Sequence, residues 1–292
     1  MKGAPVAVSD DERELVGPES GPVSTAERTD PRWRTAVRTT GEVLITLGIV
    51  VLLFVTYELV VTDWFSAEKQ ADAEARLDDR WAEPQRQLHL DPADGEAFAR
   101  LYIPAFGPDY RFTIQEGVGP DALEVGPGHY KGTAWPGEPG NFAVAGHRVG
   151  KGAPFNDLDL LNSCDAIVVE TSTDFFVYRM LPKQEELAGW AEGRGRDPKC
   201  AGVPTLRDLP DYEETVGRRI VTPDRGDAVA PVPYRAHSLT PPVGRAPLVT
   251  LTTCHPQFSD RERLIIHGAL VKQLAKAPGA GYPELLKAIG EA

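Results

Sequence analysis

The hydrophobic and polar positions divide the chain into regions of different character. Residues 1–42 are rich in Pro, Gly, Ser and charged residues and lack apolar periodicity, which predicts a disordered tail. Residues 43–61 are almost uninterruptedly apolar, with Glu58 as their only charge. From residue 98 onward, short apolar and β-branched runs alternate with Gly- and Pro-containing segments, a pattern typical of β-strands joined by turns.

The apolar run VLITLGIVVLLFVTYELVV has the length needed to cross a lipid bilayer. Its 19 residues span roughly 28 Å as a helix, close to the thickness of the hydrocarbon core. The run is too long for a signal peptide and no Ala-x-Ala cleavage site follows promptly, so we expect an uncleaved anchor. Arginines precede it between residues 28 and 38 and acidic residues follow it, so we expect a cytoplasmic N-terminus and an extracellular remainder.

Residues 62–97 connect this anchor to the β-rich region. The part between residues 64 and 87 contains mostly good helix formers, and Pro84 is expected to end the helix. Its apolar face is thin, which predicts a solvated extracellular stalk or linker.

The β-rich region covers residues 98–275 and predicts an all-β barrel or sandwich. The candidate strands are residues 99–103, 111–114, 142–146, 166–171, 175–180, 219–221, 248–253 and 264–270. Residues 181–214 form a charged, irregular insertion. In the C-terminal tail, residues 276–292, a short helix is predicted over residues 282–289.

Composition narrows the possible functions. The hydrophobic fraction of 41% is sufficient for a buried core, and the net charge of −12 argues against nucleic-acid binding. Three cysteines outside the cytoplasm predict one disulfide and one free thiol. We expect Cys164 and Cys200 to pair, because Cys200 lies in the insertion that most needs a tether, and Cys254 to remain free. No CxxC or HxxxH spacing points to a metal site.

The candidate chemistry lies in residues 248–270, LVTLTTCHPQFSDRERLIIHGAL. A β-rich run ends at Cys254, eight polar-loop residues follow, and Arg263 begins a second run, which predicts an antiparallel pair. The end of one strand then lies beside the start of the next, so a thiol and a guanidinium become neighbours. An ionised thiol is a strong nucleophile and an arginine can stabilise an oxyanion. Arg261 is the alternative for that role, but Arg263 adjoins the strand.

A base or acid for this thiol has to come from elsewhere in the chain. His147 follows the apolar run NFAVAG and is the preferred candidate, because the tip of a buried strand holds a side chain firmly at a cleft. His129, in a Gly- and Pro-containing loop, is the alternative. His255 is expected to face away from Cys254, since adjacent strand residues point to opposite faces, and His267 is expected in the core.

These residues carry a resemblance to a known family. Three motifs resemble those of the sortases, most closely class E: GNFAVAGHR with His147, TLTTC with Cys254, and LIIHG preceded by Arg263. The longer segment GPGHYKGTAWPGEPGNFAVAGHR resembles them as well. The resemblance covers residues 98–271. It implies a membrane-anchored cysteine transpeptidase with an eight-stranded sortase-type β-barrel. Such enzymes cut an LPxTG-type sorting signal between Thr and Gly and join the Thr carbonyl to a cell-wall amine through a thioacyl intermediate.

The resemblance also implies roles for single residues. Cys254 would be the nucleophile, His147 the acid for the leaving amine, and Arg263 the donor to the oxyanion. Tyr130 and Thr253 are candidates for substrate binding. The Tyr130 phenol can fill the space of a proline ring, which would favour LAxTG over LPxTG signals.

The implied partners are sorting-signal proteins of the LAxTG/LPxTG type, a peptidoglycan-precursor amine and the membrane, with no cofactor and no nucleic acid. A pilin-polymerising sortase and a non-catalytic cell-wall-binding module are the alternatives. An L,D-transpeptidase is disfavoured because its SHGC-type motif does not match Thr-Cys-His here. The insertion at residues 181–214 is longer than the family pattern implies.

Overall fold

The computed structural model describes residues 32–82, 92–237, 242–277 and 281–291. The predicted disordered tail, apart from its last 11 residues, lies outside them. The helices are α1 (Arg32–Thr56), α2 (Thr62–Ala82), α3 (Pro120–Val125) and α4 (Tyr282–Ile289), with a π-helical turn over Tyr57–Val61. The strands are β1 (Ala97–Tyr102), β2 (Arg111–Glu116), β3 (Gly128–His129), β4 (Gly140–Ala145), β5 (Ala166–Glu170), β6 (Asp174–Met180), β7 (Arg218–Val221), β8 (Pro247–His255) and β9 (Glu262–Ala275).

Contacts divide the chain into two units, with the boundary after Val51 inside α1. Among the described residues, α1 is the only helix that is long and apolar enough to cross a membrane. None of its side chains is buried, although it carries large apolar residues along its whole apolar part. A helix that is apolar all round and unburied is what a lipid environment requires, and this agrees with the predicted anchor.

Eight strands close into a β-barrel, which confirms the fold expected from the resemblance. Their order is β6-β5-β1-β2-β3-β4-β8-β9, and a pairing between β6 and β9 closes the sheet. The long strand β9 pairs with β8 along one edge, while its other edge is shared by β7 and β6. Strand β7 is therefore an addition beside the barrel. The sequence pattern missed β3, because a strand of two residues shows no alternation.

The barrel core follows from the period-two pattern of the strands. Side chains two residues apart point to the same face, and the central strands place fully buried pairs inside. These pairs are Phe142 and Val144 on β4, Val249 and Leu251 on β8, and Leu264 and Ile266 on β9. Because β4, β8 and β9 are anchored by these pairs, their ends have fixed positions, and all three candidate catalytic residues lie at those ends.

Helix α2 packs against the barrel and is not the solvated stalk that its thin apolar face predicts. Leu77 is 1% exposed. The Gln70 amide accepts a hydrogen bond from the backbone N–H of Thr113 at 2.9 Å. The nearly buried Arg100 guanidinium on β1 forms an ion pair with Glu74 of α2 at 3.3 Å. Polar side chains supply most of this docking, so hydrophobic periodicity alone could not predict it.

The insertion and the C-terminus both pack on the barrel. Cys164 and Cys200 form the expected disulfide, with their Cα atoms 4.9 Å apart, and thereby fasten the insertion to the start of β5. The insertion contains short 3-10 turns around a second apolar cluster that includes the buried Trp190. Helix α4 lies where the sequence predicts a helix, and its Leu285 is 3% exposed.

Candidate active site

Cys254 and Arg263 are directly opposite each other in the sheet. The antiparallel register of β8 and β9 pairs Cys254 with Arg263, as the sequence predicts. Cys254 is half-buried and is the free cysteine among the described residues. Directly opposed residues share a face of the sheet, so the thiol and the base of the arginine side chain lie on one side. The Arg263 guanidinium itself donates to the carbonyl oxygens of Asp260 at 2.7 Å and Glu262 at 3.0 Å.

His147 is brought to Cys254 by the parallel pairing of β4 with β8. The register aligns Ala145 with Thr252, so His147, two residues beyond β4, is level with Cys254. Both residues line one cleft of about 280 Å³. The cleft is lined by His147, Arg148, Val149, Cys254, Phe258, Ser259 and Asp260. Arg263 is not among the lining residues, because its guanidinium is turned toward the loop carbonyls.

The surroundings of His147 favour its neutral form. Burial lowers the pKa of His147 below its ordinary value, and the nearby Lys151 ammonium lowers it further. A histidine with a lowered pKa is uncharged at neutral pH and can accept a proton. The cleft thus joins a half-buried thiol to a ready proton acceptor.

Arg148 is the residue at this site that the sequence reasoning missed. Its side chain is only 3% exposed, and its Nη2 forms an ion pair with Asp159 at 2.9 Å. Its Nη1 donates to Nδ1 of His255 at 2.7 Å and lies 3.4 Å from the Cys254 carbonyl oxygen. No local sequence signal could have found it, because the contact depends on the β4 and β8 register, which aligns His147 with Cys254 and Arg148 with His255.

The two candidate substrate-binding residues have different positions. The Tyr130 hydroxyl is 3.0 Å from the hydroxyl of Thr252, which is two residues before Cys254 and therefore on the same face of β8. The structure thus brings Tyr130 to the face that carries the thiol. Thr253 is 3% exposed, and its hydroxyl donates to the carbonyl oxygen of Gly146 at 2.8 Å. Neither Tyr130 nor Thr253 is among the residues that line the cleft.

The alternative histidine, His129, lies away from the cleft. It belongs to β3, is 1% exposed, and its Nδ1 is 2.7 Å from the Glu116 carboxylate. Its Nε2 is 2.8 Å from the Thr133 hydroxyl. Both ring nitrogens are therefore engaged inside the protein.

His267 is fully buried, as its apolar strand predicts. Its ring nitrogens contact the hydroxyls of Thr250 at 2.8 Å and Tyr234 at 3.0 Å. Burial, with a smaller contribution from Arg219, lowers the pKa of His267 to about 3. This histidine is a core residue.

Comparisons with known proteins agree with the fold. The family model described as "Sortase domain" matches residues 101–271. Sortase SrtE1 of Streptomyces coelicolor is 33% identical over 252 residues, 84% of this chain, and the alignment spans 60% of that relative's length. Sortase SrtE2 of the same organism is 29% identical over 81% of this chain and 83% of the relative.

A solved structure supports the same family. The SrtF sortase from Corynebacterium diphtheriae is 45% identical, with a TM-score of 0.60 and coverage of 70% of this chain and 98% of that one. The family model alone matches more than half of the chain. The chain therefore belongs to the sortase family and, by its curated relatives, is most like the class E sortases.

Proposed function

We propose that this protein is a membrane-anchored cysteine transpeptidase. It cleaves a sorting signal of the LAxTG/LPxTG type between Thr and Gly and joins the surface protein to a cell-wall amine. The observation that carries this proposal is the shared cleft of Cys254 and His147, which the strand register places level with each other.

The first half of the reaction forms a thioester. Neutral His147 takes the proton of the Cys254 thiol, and the sulfur attacks the carbonyl carbon of the signal's threonine. The tetrahedral intermediate then collapses as His147 gives its proton to the glycine nitrogen and the C–N bond breaks. In the second half, an incoming amine attacks the thioester and His147 takes a proton from that amine. The C–S bond breaks and His147 gives that proton to the leaving sulfur, which restores the Cys254 thiol.

Arg263 is proposed to stabilise the oxyanion or to hold substrate carbonyls. Its guanidinium donates to the carbonyls of Asp260 and Glu262, so it can exchange one of these bonds for one to substrate oxygen. Buried Arg148, which contacts the Cys254 carbonyl, holds the nucleophile's backbone. Thr253 serves the substrate indirectly, because its hydroxyl holds β8 against Gly146.

The preferred signal is proposed to be LAxTG. The Tyr130 phenol lies on the face of β8 that carries Cys254 and is held by the Thr252 hydroxyl. A fixed aromatic ring at this place occupies volume that the proline of LPxTG would need, whereas alanine leaves room for it.

The cellular arrangement follows from the anchor. We propose that α1 crosses the membrane with the N-terminus in the cytoplasm, because arginines precede the apolar run and acidic residues follow it. The catalytic barrel, residues 98–275, then faces the cell wall. There it meets sorting-signal proteins and a peptidoglycan-precursor amine.

The test is peptide cleavage by the full chain in detergent, with paired LAxTG and LPxTG peptides and an acceptor amine. We expect cleavage between Thr and Gly, and an acyl adduct that maps to Cys254. Cys254→Ala should abolish cleavage, and His147→Ala and Arg263→Ala should each lose at least about 100-fold. Activity of Cys254→Ala, or an adduct on another cysteine, would overturn the proposal.

A further inference from the structure

The loop that follows His147 has an unusual backbone. Gly150, Lys151, Gly152 and Ala153 all have positive φ, with values of 64°, 53°, 73° and 36°. Glycine adopts this region freely, but Lys151 and Ala153 carry side chains that disfavour it. Residues in such conformations persist only where their surroundings hold them, and they concentrate at functional sites.

The first turn of α2, directly after the predicted membrane span, holds this loop. The Asp63 carboxylate accepts a hydrogen bond from the backbone N–H of Gly152 at 2.9 Å. The N–H of Lys151 lies 3.5 Å from the Thr62 hydroxyl oxygen. Ser66, one turn further on, is 2% exposed and lies against Gly152. A Cβ added to Gly152 would lie 3.6 Å from the Cβ of Ser66.

The same loop determines where His147 can be. The His147 carbonyl accepts from the N–H of Phe155 at 3.0 Å, so residues 147–155 form a closed loop with His147 at one end. The Phe155 ring packs so closely on Gly146 that an added Cβ there would lie 2.6 Å from it. A change in residues 150–153 therefore moves either His147 or the ring that supports it.

We propose that Asp63 is a positioning residue of the transpeptidase reaction. By accepting from Gly152, it holds the strained loop closed, so that His147 faces Cys254 across the cleft. The membrane-proximal end of α2 thus helps to shape the active site, although it touches neither substrate nor the reacting atoms. This inference rests on the proposed role of His147.

The test compares three variants of the full chain in detergent, assayed with an LAxTG peptide. Asp63→Ala removes the acceptor, whereas Asp63→Asn keeps a side-chain oxygen that can accept from Gly152 without the charge. Asp72→Ala, at an exposed aspartate on the same helix, is the matched control. His147→Ala is assayed in parallel.

We expect Asp63→Ala to lose about 10- to 100-fold in kcat with little change in KM, because misplacement of a catalytic group by about 1 Å has effects of that size. Asp63→Asn should restore most of kcat, and Asp72→Ala should match the wild type. A merely structural role would lower the amount of folded enzyme, whereas we expect the loss to persist per active site titrated by a thiol reagent.

Two results would overturn the inference: wild-type kcat in Asp63→Ala, or equal impairment of Asp63→Ala and Asp63→Asn. If His147→Ala is fully active, the proposed catalytic role of His147 fails, and the positioning role of Asp63 fails with it. If His147→Ala is inactive while Asp63→Ala is unimpaired, only the positioning role fails.

Discussion

Replacing Arg148 by methionine should weaken both the fold and the reaction. The arginine side chain is 3% exposed and joins three groups: the Asp159 carboxylate, the His255 ring and the Cys254 carbonyl. Methionine keeps much of the buried stem but removes every donor. The variant therefore tests the polar contacts rather than the volume of the side chain.

The size of the effect can be worked out from these contacts. Asp159 is 44% exposed, so solvent screens its ion pair and the loss is at most about 1 kcal/mol. The partly buried bond to His255 comes from a charged donor, and such a bond contributes about 1.5–3 kcal/mol. Together these give a loss of roughly 2–4 kcal/mol, which for a domain of this size lowers Tm by roughly 4–16 °C.

The effect on activity has a different origin. Without Arg148, the Cys254 carbonyl loses its contact, and the backbone that carries the proposed nucleophile becomes less fixed. We expect kcat/KM for an LAxTG peptide to fall about 10-fold or more. Arg148→Lys should be intermediate, because an ammonium keeps the charge but cannot reproduce the planar fork of a guanidinium.

The assay combines thermal unfolding with peptide cleavage in the same preparations. Arg207→Met, at an exposed arginine in the insertion, controls for the loss of a positive charge. If Arg148→Met melted within about 2 °C of the wild type and kept its kcat/KM, the reasoning from these contacts would be refuted.

Three further predictions concern His267, the disulfide and Tyr130. The pKa of His267 is about 3 in the folded state and about 6.5 when unfolded, so the unfolding free energy should fall as pH decreases across that window. His267→Gln should flatten this part of the decline, and an identical decline in both proteins would contradict the assignment. Replacing Cys164 and Cys200 by serine should lower the unfolding free energy by about 2–4 kcal/mol, measured by denaturant titration. Non-reducing peptide maps that show both thiols free would contradict the premise. Tyr130→Ala should reduce the ratio of LAxTG to LPxTG cleavage, and an unchanged ratio would exclude the proposed selectivity.

Most strands of the barrel could be predicted because they coincide with β-branched runs of sufficient length. One of these runs ends at Cys254 and the next begins at Arg263, so the sequence also predicts that the thiol and the guanidinium lie side by side. The position of α2 could not be predicted, since its docking depends on Gln70 and on ion pairs with Arg100, which hydrophobic periodicity does not register. The two-residue strand β3 leaves no hydrophobic pattern either, so the sequence predicts a loop at His129 where the structure has a strand.

Arg148 shows a different limit of prediction from sequence. An arginine next to a candidate histidine looks like a solvated charge, and only the parallel pairing of β4 with β8 shows that it is buried beside His255. Pairing between strands more than 100 residues apart is a property of the whole sheet. No local pattern contains it.

That pairing is also what makes the site possible. Successive strand residues point to opposite faces, so a slip of one residue between β4 and β8 would turn His147 away from Cys254. Two contacts directly before the proposed catalytic pair oppose such a slip. The N–H of Gly146 donates to the Thr252 carbonyl at 3.1 Å, and the Thr253 hydroxyl donates back to the Gly146 carbonyl at 2.8 Å. We therefore propose that Thr253 acts on the chemistry through the register it enforces, and Thr253→Val should shift the position of His147 even though valine fills the same space.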